Sequence, residues 1–217
     1  MKIEIISVNA MSEGAEMLLT LRISDDEGNK ETRKMLILTN QYFEMGLRKG
    51  TILSEDAFDN LERFSKECFA IRKGTDLLAY SSSSKRRLVQ RLRNKGIDRE
   101  SAESAASHLQ KIGAINEELD VSCQVEARIR KLWGKKRIYV DLVAKGYEKE
   151  YIENALADIT EEQMVENCAL LIRKNHRTIP NDSAVRRKIV GSLSRHGYTF
   201  NEIKRAFEIV LDDETAR

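Results

Sequence analysis

The chain has 217 residues, a formal net charge of +2, 33% charged and 41% hydrophobic side chains. This length allows one large domain or two small ones. A charged fraction this high, with a modest hydrophobic fraction, favours an elongated helical protein with much surface over a compact enzyme with a deep core. A single proline in the whole chain favours helix, because proline is the strongest helix breaker.

The cysteines Cys68, Cys123 and Cys168 are odd in number and widely spaced. This pattern argues against a disulfide framework and against a structural zinc site, and we expect three buried free thiols in a reducing cytosol. The sequence contains no apolar run of signal-peptide or membrane-spanning length. We therefore expect a cytoplasmic protein without a membrane partner.

The first 40 residues predict a small β region. Residues 2–8 alternate polar and apolar side chains, with Ile6 breaking the alternation, and residues 17–24 and 32–39 are rich in β-formers. The segment Asp25–Asn29 between the last two runs is a turn cluster with one glycine. A β-hairpin is expected here.

The pattern then changes to helix. Ser54 is a suitable N-cap for a helix with apolar side chains at three-residue spacing, and a second helix is expected from Ser65 to Tyr80. Four serines at positions 81–84 should end it.

From here the sequence repeats itself with periods of 50 and 51 residues. Each copy has an apolar pair four residues apart, a glycine, and an apolar triplet spaced by four and three. These positions are Leu88, Leu92, Gly96, Ala102, Ala106 and Leu109, then Ile138, Leu142, Gly146, Ile152, Leu156 and Ile159, then Ile189, Leu193, Gly197, Ile203, Phe207 and Val210.

Each copy predicts a three-helix module. The pair lies on one face of a helix that the glycine ends in the αL conformation, and the triplet lies on the next helix. A further helix should precede each pair, at residues 75–80, 125–133 and 164–174. The predicted organisation is mainly α, with three tandem three-helix repeats in an elongated curved array and a small N-terminal region containing a β-hairpin. The segments are 1–64, an extension with linker helices, and repeats at 65–117, 118–162 and 163–217.

Three such modules, with Lys-Gly or His-Gly between the second and third helices, resemble the RecX family of RecA regulators. The best local matches are residues 78–97, 128–146 and 194–203, together with the longer loop from Asn175 to Ser183. The chain departs from the family at Ser83–Arg87, where an arginine-serine pattern is usual, and at Asn116–Asp120, where an acidic stretch is usual. These departures concern partner contacts and leave the fold prediction intact.

Three basic triplets fall in the same register, in or near the first turn of each middle helix. Cations there oppose the helix macrodipole, so they suggest an anionic partner, although a solvated, ion-paired surface would look the same. Arg91, Arg93 and Arg130 lie in the same basic segments. The triplets are Lys85, Arg86 and Arg87; Lys135, Lys136 and Arg137; and Arg186, Arg187 and Lys188.

The sequence offers no catalytic centre. It contains no phosphate loop, GxSxG or HExxH motif, and His108, His176 and His196 share no ligand spacing. We expect neither a cofactor nor a metal. Trp133 and Tyr80 are expected to end equivalent helices, where packing is commoner than base stacking.

Three functions fit these observations. The RecX resemblance implies a monomeric regulator that lies along a RecA nucleoprotein filament and limits its extension, ATP hydrolysis and strand exchange. A stand-alone DNA-binding protein would use the same cations on phosphates, and a protein-only scaffold would leave them solvated.

Overall fold

The structure is a computed structural model that describes residues 2–25, 27–176, 179 and 182–215. It divides into two compact units: one contains residues 1–82 and 88–115, and the other contains residues 83–87 and 116–217. The division into an extension and three repeats stays a prediction.

The first unit opens with the strands β1 (Lys2–Met11), β2 (Glu16–Ser24), β3 (Lys30–Leu38) and β4 (Ile52–Leu53), which form an antiparallel sheet of order β3-β2-β1-β4. The register of β1 against β2 shifts between Ile5 and Ser7, so Ile6, which broke the alternation in the sequence, is the extra residue of a bulge. The predicted hairpin is confirmed as β2–β3, where the Asp25 carboxylate accepts from the Glu27 and Asn29 amides. Asp26 lies outside the described residues.

One long helix, α2 (Glu55–Tyr80), follows a short α1 (Thr39–Glu44). The prediction of two helices meeting at residues 64 and 65 is wrong, because no helix breaker interrupts this stretch. The Ser54 side chain caps α2 by accepting from the Ala57 amide, and Leu61 joins the apolar core of the sheet. The helix therefore links the sheet to the first module.

The three predicted modules are confirmed as helix triplets. Each has its own cluster of buried apolar side chains, built from the repeated positions. The glycine after each middle helix has a positive φ of 85°, 84° or 97°, as the αL prediction requires. The helices are α3 (Lys85–Arg93) and α4 (Arg99–Lys111), which follow α2; α5 (Glu117–Ile129), α6 (Lys135–Ala144) and α7 (Lys149–Ala157); and α8 (Glu161–Asn175), α9 (Ser183–Arg195) and α10 (Phe200–Thr215).

Several details differ from the sequence predictions. The helix expected to reach Trp133 ends at Ile129, because Leu132 has a φ of +59° that breaks it. Trp133 therefore lies in a loop, whereas Tyr80 does end α2 and is 89% exposed. Cys68 and Cys168 are buried as expected, but Cys123 is exposed on α5. Most of the long loop at 175–183 falls outside the described residues.

In the part of the chain that the structure describes, no helix combines the length and apolarity needed to cross a membrane. The same residues contain no group of three or more His, Cys, Asp or Glu side chains that could hold a metal ion.

Candidate basic interface

The first triplet lies where the start of α3 meets the end of α6. The Ser84 hydroxyl accepts from the Arg87 amide at 3.2 Å and donates to the Lys145 carbonyl at 2.7 Å. A Cβ on Gly146 would lie 3.1 Å from that hydroxyl oxygen. Ser84 thus caps the first turn of α3 and contacts the C-terminus of α6, within the second unit.

The second triplet repeats this arrangement one module later. The Gly134 amide donates to the His196 carbonyl at 2.8 Å, and the Lys136 amide donates to the Gly197 carbonyl at 3.3 Å. The two glycines are in backbone contact, since a Cβ on Gly134 would lie 2.3 Å from the Gly197 carbonyl carbon. A side chain at either position would push the helices apart.

These junctions provide an explanation within the fold for the cations in the first turns. Lys85 and Lys135 are the first residues of α3 and α6, where a cation opposes the dipole of its own helix. Each of these first turns also meets the carbonyl end of the next middle helix, which attracts positive charge. The unfavourable helix position is therefore partly compensated within the fold and does not by itself require a ligand.

The third triplet is placed differently. Helix α9 begins at Ser183, three residues earlier in the repeat register than α3 and α6, and Asp182 caps it by accepting from the Ala184 amide. Arg186, Arg187 and Lys188 therefore fall in the second turn. Arg187 donates to the Ser183 carbonyl of its own helix at 3.4 Å.

The side chains of the second triplet have distinct roles. Lys135 Nζ donates to the Ile159 carbonyl, so this cation is used inside the module. The Arg137 guanidinium lies over the Trp133 ring with its central carbon 3.8 Å from the ring centroid. Lys136 is exposed.

A groove of about 510 Å³ brings part of this triplet together with the third module. Trp133, Lys136, Arg137 and Val140 line it from the second module, and Arg195 lines it from the end of α9. Lys136 and Arg137 were predicted from their register. Arg195 and Val140 were not, because the first sits at the far end of another repeat and the second reads as an ordinary surface position.

A buried ion pair supports this groove. The Arg128 side chain is only 9% exposed, and it donates to the Asp141 carboxylate from Nε at 2.7 Å and from Nη2 at 2.6 Å. It also donates to the Gln124 carbonyl and side chain, and its guanidinium lies 5.7 Å from the Trp133 ring centroid. Nothing in the sequence distinguishes this structural arginine from the other five basic residues between positions 128 and 137.

The remaining predicted site residues are dispersed. Arg86 and Arg87 are exposed beside the Gly146 junction, and Arg130 is exposed with its guanidinium 3.9 Å from Glu126. Arg91 and Arg93 belong to the first unit, where Arg91 donates weakly to the Leu77 carbonyl at 3.4 Å. The groove therefore collects only two of the twelve predicted residues.

An acidic side chain is buried beside the first triplet. The Glu117 carboxylate accepts from the Lys85 amide at 2.6 Å, and its other oxygen is buried without a hydrogen-bond partner. Desolvation raises the pKa of Glu117 above its ordinary value. This contact ties the start of α3 to the start of α5.

Comparison with known proteins gives a consistent result. The chain is 24% identical over 172 residues to the regulatory protein RecX of Caldanaerobacter subterraneus, covering 77% of this chain and 84% of that protein. It is 28% identical over 161 residues to the regulatory protein RecX of Stenotrophomonas maltophilia, covering 74% of this chain and 98% of that protein. No protein-family model matches the chain.

Solved structures show the same fold. A crystal structure of regulatory protein RecX matches with a TM-score of 0.74 at 20% identity, covering 97% of this chain and 99% of the other. RecX from Lactobacillus salivarius matches with a TM-score of 0.61 at 20% identity, covering 67% of this chain and 96% of the other. The chain is therefore similar in sequence and fold to regulatory proteins of the RecX family, as its three repeats predicted.

Proposed function

We propose that this chain is a non-enzymatic, cytoplasmic regulatory protein that binds the RecA recombinase and its nucleoprotein filament. It inhibits filament extension, ATP hydrolysis and homologous recombination in DNA repair and the SOS response. The observation that carries the proposal is similarity over about three quarters of the chain to proteins named regulatory protein RecX.

The charges of the described surface support a binding role. Among the described residues, the side chains of Arg86, Arg87, Lys136, Arg137 and Lys188 form no ion pair with a carboxylate. Unpaired cations on a repeat array suit an extended anionic partner such as an acidic filament surface or a DNA backbone.

The test is RecA-catalysed ATP hydrolysis on single-stranded DNA, with this protein titrated in. We expect inhibition at well below one copy per RecA subunit, because a regulator that acts at filament ends or by local disruption need not coat the filament. An unchanged hydrolysis rate at one copy per subunit would contradict the proposal.

Stand-alone DNA binding is the second candidate, and the same unpaired cations favour it. A protein that contacts several phosphates loses affinity steeply with salt, with a slope of about −0.7 per contact on single strands. Salt-sensitive DNA binding together with an unchanged RecA hydrolysis rate would establish this alternative. If replacing all three triplets by glutamine changed no binding activity, the protein-only scaffold would be correct.

A further inference from the structure

The groove between the second and third modules is lined by three cations that have no acidic partner among the described residues. Lys136, Arg137 and Arg195 line it, and none of them forms an ion pair with an acidic side chain among the described residues. Asp141 also lines the groove, but its carboxylate is already engaged by Arg128 and lies 3.4 Å from Lys145 Nζ. The groove therefore offers three cations to an incoming anion.

The Arg137 side chain is restrained by its contact with Trp133. The guanidinium carbon lies 3.8 Å from the Trp133 ring centroid, and a guanidinium that contacts an aromatic face can still donate hydrogen bonds from its N–H groups. An arginine held in this way loses less conformational entropy when it binds an oxyanion with two parallel hydrogen bonds.

An exposed apolar surface lies beside the cations. Val140 is 66% exposed, and Ala144, one turn further along α6, lines the same groove. An exposed valine next to three unpaired cations suits a ligand that carries both a carboxylate and an apolar side chain.

Nucleic acid fits this groove less well. Single strands bind by stacking bases on open aromatic faces, and here Arg137 already covers one face of Trp133. A sugar–phosphate backbone could contact the cations, but its sugars present less apolar surface to the exposed Val140 than an aliphatic or aromatic side chain does. The composition of the groove therefore favours a protein ligand.

We propose that the groove binds an acidic segment of a partner protein, with a carboxylate held by Lys136, Arg137 and Arg195 and an apolar side chain packed on Val140. The inference rests on the proposed function, since the partner would then be RecA itself. It assigns the groove to the protein part of the nucleoprotein filament.

Trp133 is the only tryptophan in the chain, so 5-fluorotryptophan labelling gives one fluorine resonance that reports directly on the groove. The probes are a random glutamate–tyrosine copolymer, polyglutamate and oligo-dT, compared at equal charge concentration. We expect the copolymer to shift this resonance saturably, and more tightly than either polyglutamate or oligo-dT.

Matched variants decide where the probe binds. K136Q/R137Q/R195Q should weaken copolymer binding by at least about tenfold, and K136Q/R195Q, which keeps the Arg137 stack, should weaken it in part. K111Q/K149Q/K174Q removes three exposed lysines outside the groove and should bind as the wild type does. Tighter binding of oligo-dT than of the copolymer, or unchanged binding by both groove variants, would overturn the inference.

The same proteins separate this inference from the proposed function. If the wild type inhibits RecA hydrolysis and K136Q/R137Q/R195Q inhibits it equally, the regulator stands and the groove assignment fails. If the copolymer binds in the groove but the wild type leaves RecA hydrolysis unchanged, the regulatory proposal fails while the acidic-peptide site stands, with a partner other than RecA.

Discussion

The three repeated glycines share a backbone conformation but differ in their surroundings. Gly96, Gly146 and Gly197 all have positive φ and end middle helices. A Cβ on Gly96 would meet nothing within 4 Å, whereas on Gly146 it would lie 3.1 Å from Ser84 Oγ, and on Gly197 it would lie 2.4 Å from the Arg137 amide nitrogen. Gly96 therefore only ends its own helix, whereas Gly146 and Gly197 also allow close contact with the first turn of another middle helix.

Substitution by alanine should separate these two roles. Gly96→Ala should lower the free energy of unfolding by about 1 kcal/mol, the usual cost of a side chain at positive φ. Gly197→Ala should lower it by about 2–4 kcal/mol, because overpacking against backbone adds to that cost. Urea denaturation measures both, and equal losses would show that the Gly134–Gly197 contact is dispensable.

The Arg128–Asp141 pair should be the most costly ion pair to break. Asp141→Asn leaves a buried guanidinium without its counter-charge and should lower the free energy of unfolding by about 2 kcal/mol. Glu126→Gln is the control, since it removes an exposed partner 3.9 Å from Arg130 and should cost less than about 0.5 kcal/mol. A cost for Asp141→Asn no larger than the control would contradict the role of Arg128 as a buried support.

The cysteines should react very unequally. Burial raises the pKa of the Cys68 and Cys168 thiols from 9.0 to about 12, and Cys123 is exposed. A thiol reagent at mildly alkaline pH should therefore modify one cysteine in the native protein and three after unfolding. Because the folded state holds the two buried protons more tightly, the unfolding free energy should also fall as the pH rises above 9.0. Three reactive thiols in the native protein would show that α2 and α8 are not packed as described.

At the scale of elements, the sequence predicted the helices whose positions are set by the spacing of apolar residues. The apolar pairs and triplets located the middle and last helix of every module, because the side chains that share a helical face recur at fixed spacing. The β2–β3 hairpin followed from its turn residues. Boundaries between helices were less predictable. The sequence around residues 64 and 65 contains no helix breaker, so α2 continues through it. The end of α5 depends on the positive φ of Leu132, which cannot be predicted from a leucine side chain.

The candidate site was less predictable than the fold. Register alone found Lys136 and Arg137, but the groove also needs Arg195, which a different module supplies across the Gly134–Gly197 contact. Sequence cannot distinguish a buried cation such as Arg128 from its exposed neighbours, since burial depends on how the helices pack. Only the three-dimensional structure distinguishes buried charges that support the fold from exposed charges that can bind a partner.

Substitution of Ser84 tests whether its hydrogen bond to the end of α6 stabilises the fold. Its hydroxyl caps α3 and also bonds to the Lys145 carbonyl at the end of α6. Ser84→Ala should cost about 1–2 kcal/mol of unfolding free energy, more than the roughly 1 kcal/mol expected for the single cap lost in Ser54→Ala. Thermal or urea unfolding of the two variants gives the comparison, and a smaller loss at Ser84 would mean that the bond to Lys145 contributes nothing.

At the scale of the whole molecule, repetition connects the sequence to the proposed function. The similar modules make two recurring contacts between the first turn of one middle helix and the end of another, at Ser84–Lys145 and Gly134–His196, and exposed cations lie on each of these first turns. A partner that is itself a repeating polymer can be contacted at several such points, so moderate contacts add up. This reasoning favours the filament over an isolated RecA subunit or naked DNA.

The most direct test is therefore a comparison of affinities measured by fluorescence anisotropy with this protein labelled at Cys123. The partners are single-stranded DNA alone and the same DNA coated with RecA in a nonhydrolysable ATP analogue. The account predicts at least about tenfold tighter binding to the filament than to naked DNA, reduced when the three basic triplets are replaced by glutamine. Equal or tighter binding to naked DNA would contradict the proposal that RecA is the partner.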